Sequence, residues 1–197
     1  MPKIGAKAVR RKAMIEAAIV EIGEAGSLDV TVSQIARRAG MSPALAHHYF
    51  GSKDQMFLAA MRHILKLYGE SVRRRMADVR TPLGRLHAII DASFAPDQFQ
   101  PEVVASWLTF YVRALQSDEA SRLLQIYARR LHSNLLFNLR QIFDPDMAQS
   151  VAQGMAALID GFYIRHALQD FAPAQPEVRA LVMDYLELHL SRNAKHG

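Results

Sequence analysis

The 197-residue sequence predicts an all-α protein of about nine helices, with an N-terminal three-helix head containing a helix-turn-helix and a larger C-terminal helical bundle. Apolar residues recur at helical spacing along almost the whole chain. The β-branched runs that strands need are missing, and Gly, Pro and Asp cut the chain into pieces of helical length. Half of the residues are apolar (50%), enough to bury a sizeable core, and no internal repeat interrupts the pattern.

In chain order, a first helix is expected from about Ala8 to Ala25, where Gly26 stops it. Two short helices follow, about Val32 to Ala39 and Pro43 to Tyr49. A long one then runs from Lys53 to about Asp78 and gives way before Pro82. Beyond it the segments are more apolar: about Leu83 to Phe94, Glu102 to Gln116, Glu119 to Phe143, Asp146 to Leu168 and Glu177 to Ser191. The chain thus divides into a helix-turn-helix domain over 1–52 and a ligand-binding and dimerisation domain over 53–197. The last two helices are rich in apolar and small residues, among them Gly154, Ala157 and Gly161 in one and Leu181, Leu186 and Leu188 in the other. A single bundle cannot readily cover both, so part of this pair is expected to meet a second copy, giving a homodimer.

Composition excludes several classes of chemistry. With no cysteine, disulfide frameworks, thiolate zinc sites and cysteine nucleophiles are ruled out. Charged residues interrupt every apolar stretch short of the about 18 residues that a membrane span needs, and no export segment is evident, so a cytoplasmic protein that meets no membrane is expected. No nucleophile elbow, Gly-rich phosphate loop or HExxH pair is present, and the eight histidines are scattered. Neither an enzyme, a cofactor nor a metal site is expected.

Charge is unevenly placed. Residues 1–80 hold 14 Lys and Arg against 7 Asp and Glu, whereas residues 81–197 hold 10 against 12. The first part is therefore expected to meet a polyanion, and double-stranded DNA fits best. The segment from Thr31 to Phe50 explains how. Thr31 can cap the first short helix, whose Ile35, Ala36 and Ala39 form a small apolar face. Gly40 suits a left-handed helix stop, Met41 can fill the angle, Ser42 can cap the second helix, and Pro43 suits its first turn. With Leu45 and Ala46 facing inward, Pro43, Ala44, His47 and His48 are left outward near the end that enters the major groove in helix-turn-helix proteins. Tyr49 and Lys53, together with Arg10, Arg11 and Lys12 on the first helix, are expected to hold phosphates or the minor groove.

At these residues the chain resembles the TetR family of one-component repressors, whose helix-turn-helix ends in a run like Tyr49-Phe50-Gly51-Ser52-Lys53. The similarity is greatest to a choline-responsive branch of that family. It is carried by Met1-Pro2-Lys3-Ile4-Gly5, Arg10-Arg11, His48-Tyr49-Phe50, Ala60-Met61-Arg62-His63, the Arg129-Arg130-Leu131-x-Ser133-Asn134-Leu135 run and Ala156-Ala157-Leu158-Ile159-Asp160-Gly161. The resemblance implies a repressor of the genes that convert choline to glycine betaine, with operator binding modulated by choline or a related quaternary ammonium.

Such a head group carries charge but no N–H, so aromatic faces and a carboxylate are the groups that can hold it. Trp107, Phe110 and Tyr111 fall on one face of a helix at i, i+3 and i+4. Asp160 interrupts the apolar run Met155 to Ile164, Tyr163 follows it by three, and Arg165 is turned too far round the helix to pair with it. These five residues are the expected ligand site. Each aromatic also suits ordinary core packing, and the residues by themselves leave open a lipophilic effector in the same bundle. Ligand binding is expected to tilt the long helix from Lys53 and change the spacing of the two recognition helices, which must stand about 34–36 Å apart or a multiple of that.

Overall fold

The computed structural model describes residues 3–169 and 172–193, and every regular element among them is helical. The elements are α1 (Lys3–Ala25), α2 (Val32–Arg38), α3 (Pro43–Phe50), α4 (Lys53–Met76), α5 (Pro82–Ser93), α6 (Pro101–Ala114), α7 (Asp118–Leu139), α8 (Pro145–Leu168) and α9 (Gln175–Asn193). Most ends fall within two residues of the expected ones. Two do not.

Helix α1 starts five residues before Ala8, because nothing in its basic opening breaks a helix; the positive charge there is a helical face and not a tail. Helix α7 stops at Leu139, four residues before the expected Phe143. The amides of Ile142 and Phe143 both fold back onto the Leu139 carbonyl at 2.9 Å, tucking Phe143 into the core. Pro145 then keeps its predecessor out of helical geometry. Asp144 caps α8 instead, its Oδ1 accepting from the amides of Asp146 and Met147, each at 3.0 Å. Ile142 and Phe143 keep the apolar spacing of α7 without its backbone.

Helices α1 to α3 form the head, α4 leads out of it, and α5 to α9 form the bundle. One apolar core runs through both, from Met14 and Ile35 in the head to Leu135, Met155 and Leu186 in the bundle. Helix α1 crosses α6 at backbone contact: Gly23 lies against the main chain of Glu102, with no room for a Cβ. The Ser106 hydroxyl donates to the Ile19 carbonyl at 3.4 Å in the same crossing.

Helix α8 buries Ala148, Val151, Ala152, Met155, Ile159 and Tyr163, one stripe at steps of three and four. Helix α9 packs beside it, with the Tyr185 hydroxyl seated on Gly154, and is tied to α5 by the Arg179–Asp91 ion pair. The outer faces of this pair stay apolar and exposed at Ala157, Ile164, Leu168, Leu181 and Leu188. No helix among the described residues is long and apolar enough to cross a membrane.

The α1–α6 crossing separates two glycine substitutions. At Gly23 an added methyl meets backbone, which overpacking puts at about 1–3 kcal/mol of destabilisation, offset by about 1 kcal/mol of helix propensity. At Gly69 in α4 a methyl meets only the Arg73 guanidinium at 3.8 Å, so the propensity gain stands alone. Thermal unfolding should place Gly23→Ala below the parent protein and Gly69→Ala above it; the reverse order contradicts the close crossing.

Candidate functional site

In the head, local hydrogen bonds fix the angle between α2 and α3. The Thr31 hydroxyl accepts from the Gln34 amide at 3.1 Å while the Gln34 side chain accepts from the Thr31 amide at 2.7 Å, a reciprocal cap. Helix α2 ends with Gly40 at φ +66°, where few side chains are tolerated. The Gly40 amide donates to the Arg37 carbonyl at 3.0 Å and the Met41 amide to that of Ala36 at 2.8 Å, a Schellman closure. Ser42 then caps α3 by accepting from the Leu45 amide at 3.3 Å, with Pro43 in the first turn. Arg38 is clamped by Glu21 at 2.6 Å and by Glu24, which fixes α2 on α1.

This geometry buries Ala46 and Phe50, half-buries Leu45, and leaves Pro43, Ala44, His47 and His48 exposed on one side of α3. His47 Nδ1 lies 3.3 Å from the Gly51 carbonyl. A carbonyl only accepts, so Nδ1 carries the proton and Nε2 is free of that bond. Tyr49 is half-buried with its ring 5.6 Å from that of His48. Arg10, Arg11 and Lys12 are exposed on α1; Arg11 lies 5.0 Å over the Phe50 ring, and Lys12 reaches Glu16 at 3.5 Å. Lys53 donates to the Leu28 carbonyl at 2.6 Å, so besides being exposed it ties the α1–α2 loop to the start of α4.

The second site gathers at Asp160, which is half-buried on α8. Its Oδ1 accepts from the Tyr111 hydroxyl at 3.0 Å and from the Tyr127 hydroxyl at 3.4 Å. Trp107 stands beside both tyrosines, its ring centroid 4.7 Å from that of Tyr127 and 5.9 Å from that of Tyr111. Tyr163 closes a further side at 6.2 Å from Trp107, and donates to the Ser93 carbonyl. Phe110 is fully buried, but its ring pairs are with Phe57 of α4 and with Trp107. It supports the tryptophan from behind.

Two members of this cluster were not anticipated. Tyr127 sits on α7 in the ordinary core register with Leu131 and Leu135, and nothing local distinguishes it from a packing residue. Tyr68, on α4, stacks edge-on against Tyr127 at 6.0 Å. Its hydroxyl lies 3.3 Å from the Ser93 hydroxyl. Ser93 donates onward to the Ile89 carbonyl at 2.9 Å, so it accepts from Tyr68.

Electrostatics follow from burial. Loss of solvent pushes the Asp160 carboxyl above the usual carboxylate range, and the hydrogen bonds from Tyr111 and Tyr127 pull it part of the way back. Burial raises Tyr68 to about 12. Tyr111, Tyr127 and Tyr163 are also pushed up, first by burial and then by the nearby Asp160 charge. All four tyrosines therefore keep their protons and act as donors across the working pH range. The indole Nε1 of Trp107 is buried without a partner. A carboxylate walled by π faces suits a desolvated cation with no N–H to donate.

With the geometry in place, the relatives are informative. Residues 14–60 match the family described as bacterial regulatory proteins, tetR family, and residues 82–191 match the BetI-type transcriptional repressor C-terminal family. The HTH-type transcriptional regulator BetI of Brucella melitensis biotype 1 is 54% identical over 191 residues, 97% of this chain and 96% of the relative. The regulator of the same name from Rhizobium meliloti (strain 1021) is 51% identical over 194 residues, 98% of this chain and 95% of the relative. These relatives are transcriptional regulators, not enzymes. Among solved structures, a putative transcriptional regulator from Saccharomonospora viridis in complex with choline shares the fold at a TM-score of 0.83. Its identity is 22%, over 91% of this chain and 96% of that one. A TetR transcription regulator from Haloarcula marismortui superposes at a TM-score of 0.80 with 20% identity, over 92% and 98% of the two chains.

The Asp160 hydrogen bonds carry a titration consequence. The Tyr111 bond favours the ionised carboxyl, so Tyr111→Phe moves the Asp160 midpoint further upward. Because the folded value lies above the unfolded one, the stability linked to Asp160 declines as pH rises from the ordinary carboxylate range through the raised value. Carboxyl carbon NMR titration of parent and variant reads the shift; an unmoved or lowered midpoint contradicts it.

Proposed function

The chain belongs to the tetR family of bacterial regulatory proteins and carries the C-terminal domain of BetI-type repressors, and from that premise we propose a homodimeric operator-binding repressor that responds to choline. The observation that carries the ligand reading is Asp160, a buried carboxylate that accepts from two tyrosines and is walled by Trp107, Tyr111, Tyr127 and Tyr163. A neutral lipophile has no use for that charge. A quaternary ammonium does: each ring face contributes about 0.5–2 kcal/mol, and the carboxylate balances the charge. The choline bound to the Saccharomonospora viridis regulator, a protein of the same fold, supports the assignment.

On this reading Pro43, Ala44, His47 and His48 face the bases, with Tyr49, Lys53, Arg10, Arg11 and Lys12 on the backbone and the capping hydroxyls of Thr31 and Ser42 beside it. The dimer forms through the exposed apolar faces of α8 and α9, at Ile164, Leu168, Leu181 and Leu188. The cation itself supplies the switch. Two rings flanking an ammonium each stand up to about 6 Å from it, so a cation between Trp107 and Tyr127 needs more than their present 4.7 Å separation. Opening that gap moves α6 relative to α7. Helix α6 crosses α1 at backbone contact, so the movement reaches the head and the spacing of the two recognition helices changes.

Calorimetry tests the cage. Choline should bind the parent saturably and should bind Trp107→Ala or Asp160→Asn at least about tenfold more weakly, a loss of about 1.4 kcal/mol. The affinity of the parent should fall as pH drops through the raised Asp160 value, because the protonated carboxyl no longer balances the cation, and this dependence should be absent in Asp160→Asn. Unchanged affinity in both variants overturns the reading.

Gel shifts test the head. Arg10→Ala should weaken all operators alike and lower the salt slope by about 0.9. His47→Ala should alter preference at one base pair by about 1–3 kcal/mol. Operator affinity unaffected by saturating choline counts against the switch and leaves the DNA reading standing.

A further inference from the structure

Half of the basic residues in the first 80 do not belong to the head. Residues 1–52 hold seven Lys and Arg against four acids, and residues 53–80 hold seven against three. On α4, Arg62, Lys66 and Arg73 follow at steps of four and seven, which keeps them near one face. Helix α7 brings Arg130 to the opposite side. Between the two helices lies a groove of about 700 Å³ bordered by these four cations. From Arg62 to Arg73 it spans about 16 Å of helix.

The floor has the opposite character. Leu65, Val72, Leu123 and Ile126 line it, and Ile126 is 43% exposed, unusual for an apolar residue facing a cleft this size. Gly69 keeps the floor open. No acidic side chain lines the groove, and among the described residues Arg62, Arg73 and Arg130 have no carboxylate within ion-pair distance. Lys66 reaches only the exposed Glu70, at 3.7 Å. Tyr127 and Tyr68 form the back wall, so the groove and the Asp160 site share those two rings from opposite sides.

We propose that this groove is a second effector site, which takes a soluble amphiphilic anion: an acyl chain ending in a phosphate-type head. The apolar floor covers the chain, and the guanidinium groups match phosphate oxygens in a forked geometry. Neither half of the groove suits a simpler occupant. An inorganic anion leaves the floor exposed, and a neutral lipophile leaves four cations unmatched. DNA has no need of an apolar floor. A second copy is expected on α8 and α9, whose exposed apolar faces lie on other helices. The site does not depend on the choline reading, since its charge preference is the reverse of that at Asp160.

Dodecyl phosphate, kept below its micelle-forming concentration, is the probe for the full-length protein, read by calorimetry and by the fluorescence of Trp107, the only tryptophan, 4.7 Å from Tyr127. Binding is expected to be saturable and to weaken with added salt. Replacing two partly exposed charges in Arg62→Gln/Arg130→Gln should weaken it about tenfold. Gly69→Leu, a better helix former whose side chain fills the floor, should abolish it with helix content by circular dichroism unchanged. Absence of saturable binding, equal binding of neutral dodecyl maltoside, or undiminished binding by both variants overturns the proposal.

Discussion

A carboxylate held among aromatic rings is expensive to fold around, and the bundle is organised to tolerate one at Asp160. Burying an ionised carboxyl without partners costs far more than any single contact returns. Here two tyrosine hydroxyls donate to it from different helices, Tyr111 on α6 and Tyr127 on α7. Their neighbours are held in turn: Tyr163 of α8 by the Ser93 carbonyl, and Tyr68 of α4 through the Ser93 hydroxyl at the end of α5. Five helices thus meet at one charge. A well-packed apolar side chain there would serve stability as well or better, because buried charges are weak stabilisers. The arrangement makes sense as a site prepared for a positive charge.

The head was legible in the sequence because its determinants are local. Thr31 with Gln34, Gly40 with Arg37, and Ser42 with Leu45 act across three residues, so a linear reading finds nearly all of them. Gln34 was the one partner overlooked, and its spacing from Thr31 is itself the signal of a reciprocal cap. The cage was half legible. Trp107 and Tyr111 share a helix face, and Asp160 breaks an apolar run. Tyr127 and Tyr68 escaped because each sits at an ordinary core position and gains its role from residues 33 and 25 positions away.

Other expectations failed for the converse reason, that local pattern and segment totals do not specify tertiary direction. Phe110 shares the apolar face of Trp107 and Tyr111, yet it sits where α4 comes closest and packs on Phe57. Ile142 and Phe143 continue the spacing of α7 but fold under its end. The charge of the first 80 residues, taken as one block, pointed to DNA; the fold divides it between the head and the α4 groove.

The same connectivity bears on how a filled cage would reach the DNA head. The first turn of α4 is anchored on both helices that flank Asp160: Asp54 to Arg113 at the end of α6, at 3.0 Å, and Gln55 to Glu119 at the start of α7, at 2.9 Å. An occupant that widens the Trp107–Tyr127 gap changes the relation of those anchors. Exposed polar contacts of this kind contribute only about 0–1 kcal/mol and yield easily. The crossing of Gly23 on Glu102 does not yield, because main chain meets main chain and close-packed backbone has nowhere to relax. The stiffer route therefore runs from α6 into α1, and the ion pair at Asp54 follows it. Packing is insensitive to salt whereas phosphate contacts are strongly sensitive, so ligand-driven movement and operator affinity respond to different features of the medium. For a regulator exposed to changing ionic strength, that separation lets the ligand signal persist while the strength of DNA binding drifts.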